Sequence, residues 1–252
     1  MGSSTVVNSA MKHSVLGWIA MVVLLPVASA WPVSAIGAPV PGFETIVRGL
    51  TKESLAAADD QYDQARRLAD RSNMPTSADY AEAMTLYESA ASKGHIYAMH
   101  NLALHLEHGI GVKQDFAGAF KWYLLASKLG FSGSQNNIGD MYEQGQGVPQ
   151  SLGDAIYWYS QAAMQGDAVS FLSLGSVYLD GRGVTVNFPE SAYWLTLAVA
   201  HLPDGSNLKA AQTKLASAKG KLTSQELAEV ALRARLYEPL KETSSQLGDT
   251  PK

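Results

Sequence analysis

The chain has no cysteine. That excludes disulfides, thiolate nucleophiles and cysteine-containing zinc sites together, while leaving the compartment open. Nor is there an excess of cations: 19 Lys and Arg stand against 23 Asp and Glu, a net charge of −4. A chain of that balance offers no basic stripe to a phosphate backbone, so nucleic acid is not an expected partner. The signatures of hydrolytic chemistry are missing too. There is no GxSxG elbow, no SxxK joined to SDN and KTG elements, and no HExxH pair. What remains is a 252-residue chain that is 46% hydrophobic, enough for a folded domain or a repeat array and too apolar for general disorder.

No charged side chain occurs between His13 and Glu44. Met11-Lys12-His13 gives a short positive region, residues 15–25 an apolar core, and Ala28-Ser29-Ala30 a small-x-small cleavage site before Trp31. This is the layout of a secretory signal peptide, with translation from Met11 as well as Met1 compatible with it. Pro26, Pro32, Pro39 and Pro41 would interrupt a membrane-spanning helix, and the apolar run falls short of the ~20 residues a span needs. The expectation is cleavage near Ala30 and export to the periplasm. The alternative is anchoring to the inner membrane by an uncleaved N-terminal segment, the one route to membrane contact. Residues 31–50, rich in Pro, Gly and Ala at their start, read as a flexible lead.

Beyond that lead the chain repeats itself. Gly109, Gly145 and Gly181 recur at an offset of 36, as do Gly111, Gly147 and Gly183; Val112, Val148 and Val184; Trp122, Trp158 and Trp194; and Ala126, Ala162 and Ala198. A fixed period in this range is the mark of a solenoid. In the first helix of each unit Ala98, Leu102 and Leu106 form an i, i+4, i+8 stripe that returns as Ser134, Ile138, Tyr142 and as Ser170, Leu174, Tyr178. Ala103, Gly139 and Gly175 keep one flank small enough for a close neighbour. Asp115, Ser151 and Asn187 are candidate N-caps for the second helix, with Glu190 placed to complete a capping box. Gly130 and Gly166 stand where that helix ends. Asp79, Ala83, Tyr87, Ala90 and Gly94 match the second helix of a preceding unit, behind a helix predicted over 52–71. After the register fails at residues 201–205, helices are predicted over 208–219 and 224–237, the latter opened by Thr223 and Glu226.

The unit A-x-x-x-L-A/G-x-x-Y…G-x-G-V…D-x-x-x-A-x-x-W-Y-x-x-A-A-x-x-G resembles the Sel-one-like repeat of the tetratricopeptide-like solenoids, strongly from Asp79 to about Ala198. The resemblance implies an all-α, right-handed α-solenoid of stacked antiparallel helix pairs. It also implies a curved adaptor for protein–protein contacts, of a kind found in bacterial envelope and signalling assemblies. Cysteine-rich relatives are associated with β-lactam binding, which does not transfer to a chain without cysteine. The expected organisation is a signal peptide over 1–30, a lead over 31–50 and capping helices over 51–94. Three repeats over 95–202, capping helices over 203–238 and a disordered tail over 239–252 follow.

Chemistry is sparse in this array. The GxG turns lack the third glycine and the Lys-Ser/Thr of nucleotide loops, and they join helix to helix. The three tryptophans lie beside apolar stripes, where packing is the simpler reading than a sugar-stacking ladder. Four of the six histidines, His95, His100, His105 and His108, fall on one first helix. His105 and His108 lie about 60° apart on it, with Glu107 nearby, but no third metal ligand is identifiable. His95 is read as packing. No cofactor and no resident metal are expected, and no catalytic constellation. The candidate site is instead the row His100, Leu104, His108 with its counterparts Asn136, Asp140, Gln144 and Leu172, Ser176, Asp180. These nine vary between units while the packing positions do not, on the helices that line the inner surface of such stacks. They are read as contacts to a partner protein or peptide of the cell envelope, presented by a monomeric scaffold. Two alternatives are a weak peptidoglycan-related hydrolase using His105 or His108 as base, and a carbohydrate-binding component of an export or flagellar-motor assembly.

Overall fold

The computed structural model describes Ile46, Gly49, residues 51–69 and 76–237, and Pro239. The chain divides between Pro32 and Val33, and everything described belongs to the second unit. The signal-peptide segment, most of the lead and all of the tail but Pro239 lie outside the described residues.

The described residues form ten helices and no strand. They are α1 (Lys52–Ala69), α2 (Ser77–Ser92), α3 (Ile96–His108), α4 (Phe116–Lys128), α5 (Ser132–Gln144), α6 (Leu152–Met164), α7 (Ala168–Asp180), α8 (Phe188–His201), α9 (Ser206–Lys219) and α10 (Ser224–Arg235). Each odd helix from α1 to α7 packs on the even helix that follows it, and each pair stacks on the next through α2–α3, α4–α5 and α6–α7. The last two helices close the stack against α8, with α9 also reaching α7. This is an α-solenoid.

The punctuation follows from residue chemistry. Asp115, Ser151 and Asn187 accept the free amides of Gly118, Asp154 and Glu190 and so start α4, α6 and α8. Gly109, Gly145 and Gly181 end α3, α5 and α7 in the left-handed conformation, with φ of 66°, 70° and 71°. The second glycine of each turn has a different duty. A Cβ on Gly111, Gly147 or Gly183 would collide with Tyr80, Phe116 or Leu152 respectively. Those three residues are themselves one period apart, at the start of the preceding even helix. The glycine is therefore where one repeat touches the last. Along the helices, Gly139 and Gly175 meet Tyr159 and Leu195 so closely that an added Cβ would lie 2.5 Å from a side-chain carbon.

α2 starts at a reciprocal box in which Thr76 caps and Asp79 sits at the third position. Two local expectations are corrected. Glu190 does not turn back to its own N-cap but pairs with Arg233 at 2.9 Å, and that guanidinium lies 4.1 Å above the Tyr193 ring. The last helix stops at Arg235, leaving Tyr237 free for another use.

The core runs along the stack as three buried clusters and is rich in alanine: Ala83, Ala90, Ala98, Ala119, Ala126, Ala162, Ala192 and Ala198 are fully buried. Between α2, α3 and α4 a recess of about 340 Å³ remains, lined by Met84, Leu102, Leu106, Val112 and Trp122 among others. One period on, Phe120 and Tyr142 stand at the positions of Met84 and Leu106 and meet edge to face, with centroids 5.5 Å apart.

The two kinds of glycine separate in a stability measurement. Gly147→Ala, at φ 71° and against the Phe116 backbone, is expected to cost at least about 2 kcal/mol in urea unfolding. Gly153→Ala, inside α6 with open space around it, is expected to add about 0.5–1 kcal/mol.

Candidate partner-binding surface

The nine-residue row runs along α3, α5 and α7, but burial divides it. His108, Gln144 and Asp180 are exposed; His100, Leu104, Asp140 and Leu172 are half-buried; Asn136 and Ser176 are buried. The division has a physical reason. Its N-terminal half forms the joint between successive odd helices. His100 Nδ1 and Ser134 Oγ share a 2.9 Å hydrogen bond from α3 to α5, and one period later Ser170 Oγ donates to Asn136 Oδ1 at 3.0 Å from α7 to α5. A buried amide needs such partners, and Asn136 finds another by donating to Asp140 Oδ2 at 3.2 Å.

A second repeated contact ties α3 to α4 and α5 to α6. Tyr123 OH donates to Glu107 Oε2 at 2.8 Å, and Tyr159 OH lies 2.7 Å from both Glu143 Oε2 and Asp140 Oδ1. Glu143 also pairs with Arg182, and Asp180 lies 3.6 Å from Arg182 Nε and 3.8 Å from Lys214 Nζ. Burial raises Asp140 above the usual carboxylate range, against the hydrogen bond from Tyr159 and the charge of Arg182. Both tyrosine hydroxyls are pushed far up, first by burial and then by their carboxylates.

The third unit drops this chemistry. Leu172, Leu179 and Leu195 stand where Asn136, Glu143 and Tyr159 stand one period earlier. They join an apolar cluster with Leu215 and Ala218 of α9. Leu172 is therefore packed beneath the end cap, and the buried Ser176 bonds only its own helix, donating to the Leu172 carbonyl at 2.8 Å. The outward part of the row narrows to His108, Gln144 and Asp180, with Leu104 and Asp140 beside them.

The histidines diverge. His105 is buried with Nδ1 3.0 Å from the Ile110 carbonyl, His100 turns to Ser134, and His108 is exposed. Among the described residues no three His, Asp or Glu side chains converge as a metal site would require. No carboxylate or serine among them is bonded to His105 or His108 to form an acid–base couple. Trp158 is buried, and Trp122 and Trp194 are partly buried against the core, so the three do not form a common open face. No described helix is long and apolar enough to cross a membrane.

His95 has a role beyond packing. Its Nδ1 accepts the Ala98 amide at 3.0 Å, capping α3, while Nε2 lies 3.3 Å from Asp59 Oδ1 and the ring stacks on Tyr62 at 4.3 Å. A His–x–x–Ala start carries no established capping signal, which is why the sequence hid it. Tyr237 was hidden for another reason: it has no repeat counterpart.

Burial pushes His100 down to about 4 and lowers His95, the latter against the charges of Asp59 and Asp63. Folded-state values below the unfolded value of about 6.5 mean that the folded form takes up protons later. This stability is fully present above pH 6.5 and is lost as pH falls toward 4, with Asp140 acting in the opposite sense near the lower end. After allowance for solvent screening, His100 contributes about 1–2 kcal/mol to that loss. His100→Asn, the residue found one period later, should keep the bond to Ser134 and flatten the pH dependence of the unfolding midpoint between pH 6.5 and 4.

The Sel1 repeat model matches residues 65–95, 96–131, 132–167 and 172–201, more than half of the chain and one unit more than the three in strict register. A protective antigen present in uropathogenic Escherichia coli strains, displaying an SLR fold, superposes with a TM-score of 0.64 at 22% identity over 81% of this chain. The chain spans 42% of that protein's length. A Sel1 repeat protein from Oxalobacter formigenes superposes with a TM-score of 0.58 at 24% identity, covering 78% of this chain and 80% of its own. At these identities the likeness is one of fold. Comparison with curated proteins gives no match. Four matched repeats, folded as stacked helix pairs, make this chain a member of the Sel1 repeat family.

Proposed function

We propose that the protein is an exported envelope scaffold that holds a partner protein or peptide against the last turns of α3, α5 and α7. Sel1 repeat proteins generally act as scaffolds for protein–protein interaction. One observation carries the finer reading. His108, Gln144 and Asp180 share one register, stand exposed directly before the glycine caps, and differ in chemistry while the glycines that follow them repeat. Such positions are free to be chosen by a partner rather than by the fold. Beneath them the tyrosine–carboxylate contacts hold the helices in one arrangement, so that little ordering remains to be done on binding. Export is supported by the positive region at 11–13, the apolar run at 15–25 and the small residues at 28–30.

The His108→Ala, Gln144→Ala, Asp180→Ala variant is expected to lose at least tenfold of the partner crosslinked by the wild type in envelope fractions, with helicity and unfolding midpoint unchanged. Equal capture would sink the assignment. Mass spectrometry of the protein recovered from periplasm should give an N-terminus at Trp31.

A further inference from the structure

At the turn from α4 to α5 the Ser127 carbonyl receives two donors. They are the Gly130 amide at 3.0 Å and Gln135 Nε2 at 3.2 Å, and Gln135 in turn accepts from Gln165 Nε2 at 2.6 Å. One period later the Ala163 carbonyl receives the Gly166 amide at 2.9 Å, but Phe171 has replaced Gln135 and His201 has replaced Gln165. The second donor comes instead from a residue 74 positions away: Tyr237 OH donates to Ala163 O at 2.6 Å.

The tyrosine sits in a slot. Its ring stands at 90° to Phe171 with centroids 5.3 Å apart and at 78° to His201 at 6.4 Å, while Phe171 rests on Trp194. Two residues on, Pro239 lies over Gly166, where an added Cβ would come within 3.1 Å of the proline ring. The strap is a surface element: Leu236 is 71% exposed, Pro239 is exposed and Tyr237 is half-buried. The slot thus combines an aromatic floor, a carbonyl open to a hydroxyl and a glycine shelf that admits proline.

We propose that this slot is a docking site for a tyrosine-x-proline segment of a partner protein, occupied in the free chain by its own Tyr237 and Pro239. The strap shows which chemistry fits. Its attachment one residue beyond α10 gives it an effective concentration on the order of millimolar, which a competing segment must exceed. The site is distinct from the row at His108, Gln144 and Asp180, and does not rest on it.

The probe is a labelled peptide, Ala-Arg-Leu-Tyr-Glu-Pro-Leu-Lys, copying residues 234–241. Full-length protein carrying Tyr237→Ala and Pro239→Ala should bind it saturably in fluorescence anisotropy, at least tenfold more tightly than the wild type does. A peptide with phenylalanine for tyrosine should bind roughly fivefold more weakly, for want of the hydroxyl donor. The proposal is overturned if the vacated variant, with wild-type helicity, does not bind the peptide, binds it no better than the wild type, or does not distinguish tyrosine from phenylalanine. Should that double variant not fold, Tyr237→Phe keeps the ring and loosens the strap; it must admit the peptide at lower concentration than the wild type, and no difference overturns the proposal. Partner capture through the row, read with the strap intact, is unaffected by either result.

Discussion

The contact on which this stack depends is the approach of the second turn glycine to the preceding repeat. Gly111, Gly147 and Gly183 press against Tyr80, Phe116 and Leu152, and no side chain larger than hydrogen fits between. Because glycine and facing residue both recur at the same interval, every turn fixes the spacing of two successive helix pairs. The odd helices then arrive at one another at a set distance. That distance is what lets His100 reach Ser134 and Ser170 reach Asn136 with the same geometry one period apart. A glycine-rich loop that looks built for a phosphate is thus spent on contact with the preceding repeat.

Polar joints and apolar ends answer different needs. Within the array each odd helix has another on both sides, so a polar side chain can be buried and still find a partner, which is the condition for tolerating it. At the third repeat the next odd helix is α9, which breaks the register and brings Leu215 and Ala218 instead of hydroxyls or amides. A retained Asn would lack there the hydroxyl that Ser170 gives Asn136, and Leu172 removes that cost, while Leu179 and Leu195 join the same apolar cluster. The Arg233–Glu190 pair and the Tyr237 contact then attach α10 from outside. The open part of the row is consequently shorter than the array.

Much of the fold was legible because the period is a property of sequence alone: caps, turn glycines and the alanine stripes fall where the offset predicts. The candidate row was less legible. Helical spacing shows which residues share a face, but whether Asn136 is buried and His108 exposed depends on residues about one period away in the adjoining unit. Spacing on one helix carries no signal for that. Glu190 illustrates the same limit, since its partner Arg233 belongs to a helix outside the repeat. His95, Phe131 and Asp167 occupy one position in three units, yet only His95 and Asp167 cap their helices through a side chain.

That last comparison bears on how the two ends are held. In a linear stack stability is a sum of nearest-neighbour interfaces, so each junction stands on its own contacts. The α1/α2 pair meets α3 through an imidazole that must be neutral: Nδ1 accepts the Ala98 amide while Nε2–H faces Asp59. A second proton would set Nδ1–H against the amide and remove the cap, even as the charge drew toward Asp59 and Asp63. The junction at α7 is capped by Asp167, a carboxylate that needs no proton on either oxygen to accept an amide. The C-terminal helices are fixed by a guanidinium–carboxylate pair and a phenol. Protonation of His95 therefore acts on the first junction, through the cap of α3, and on no contact of the C-terminal helices.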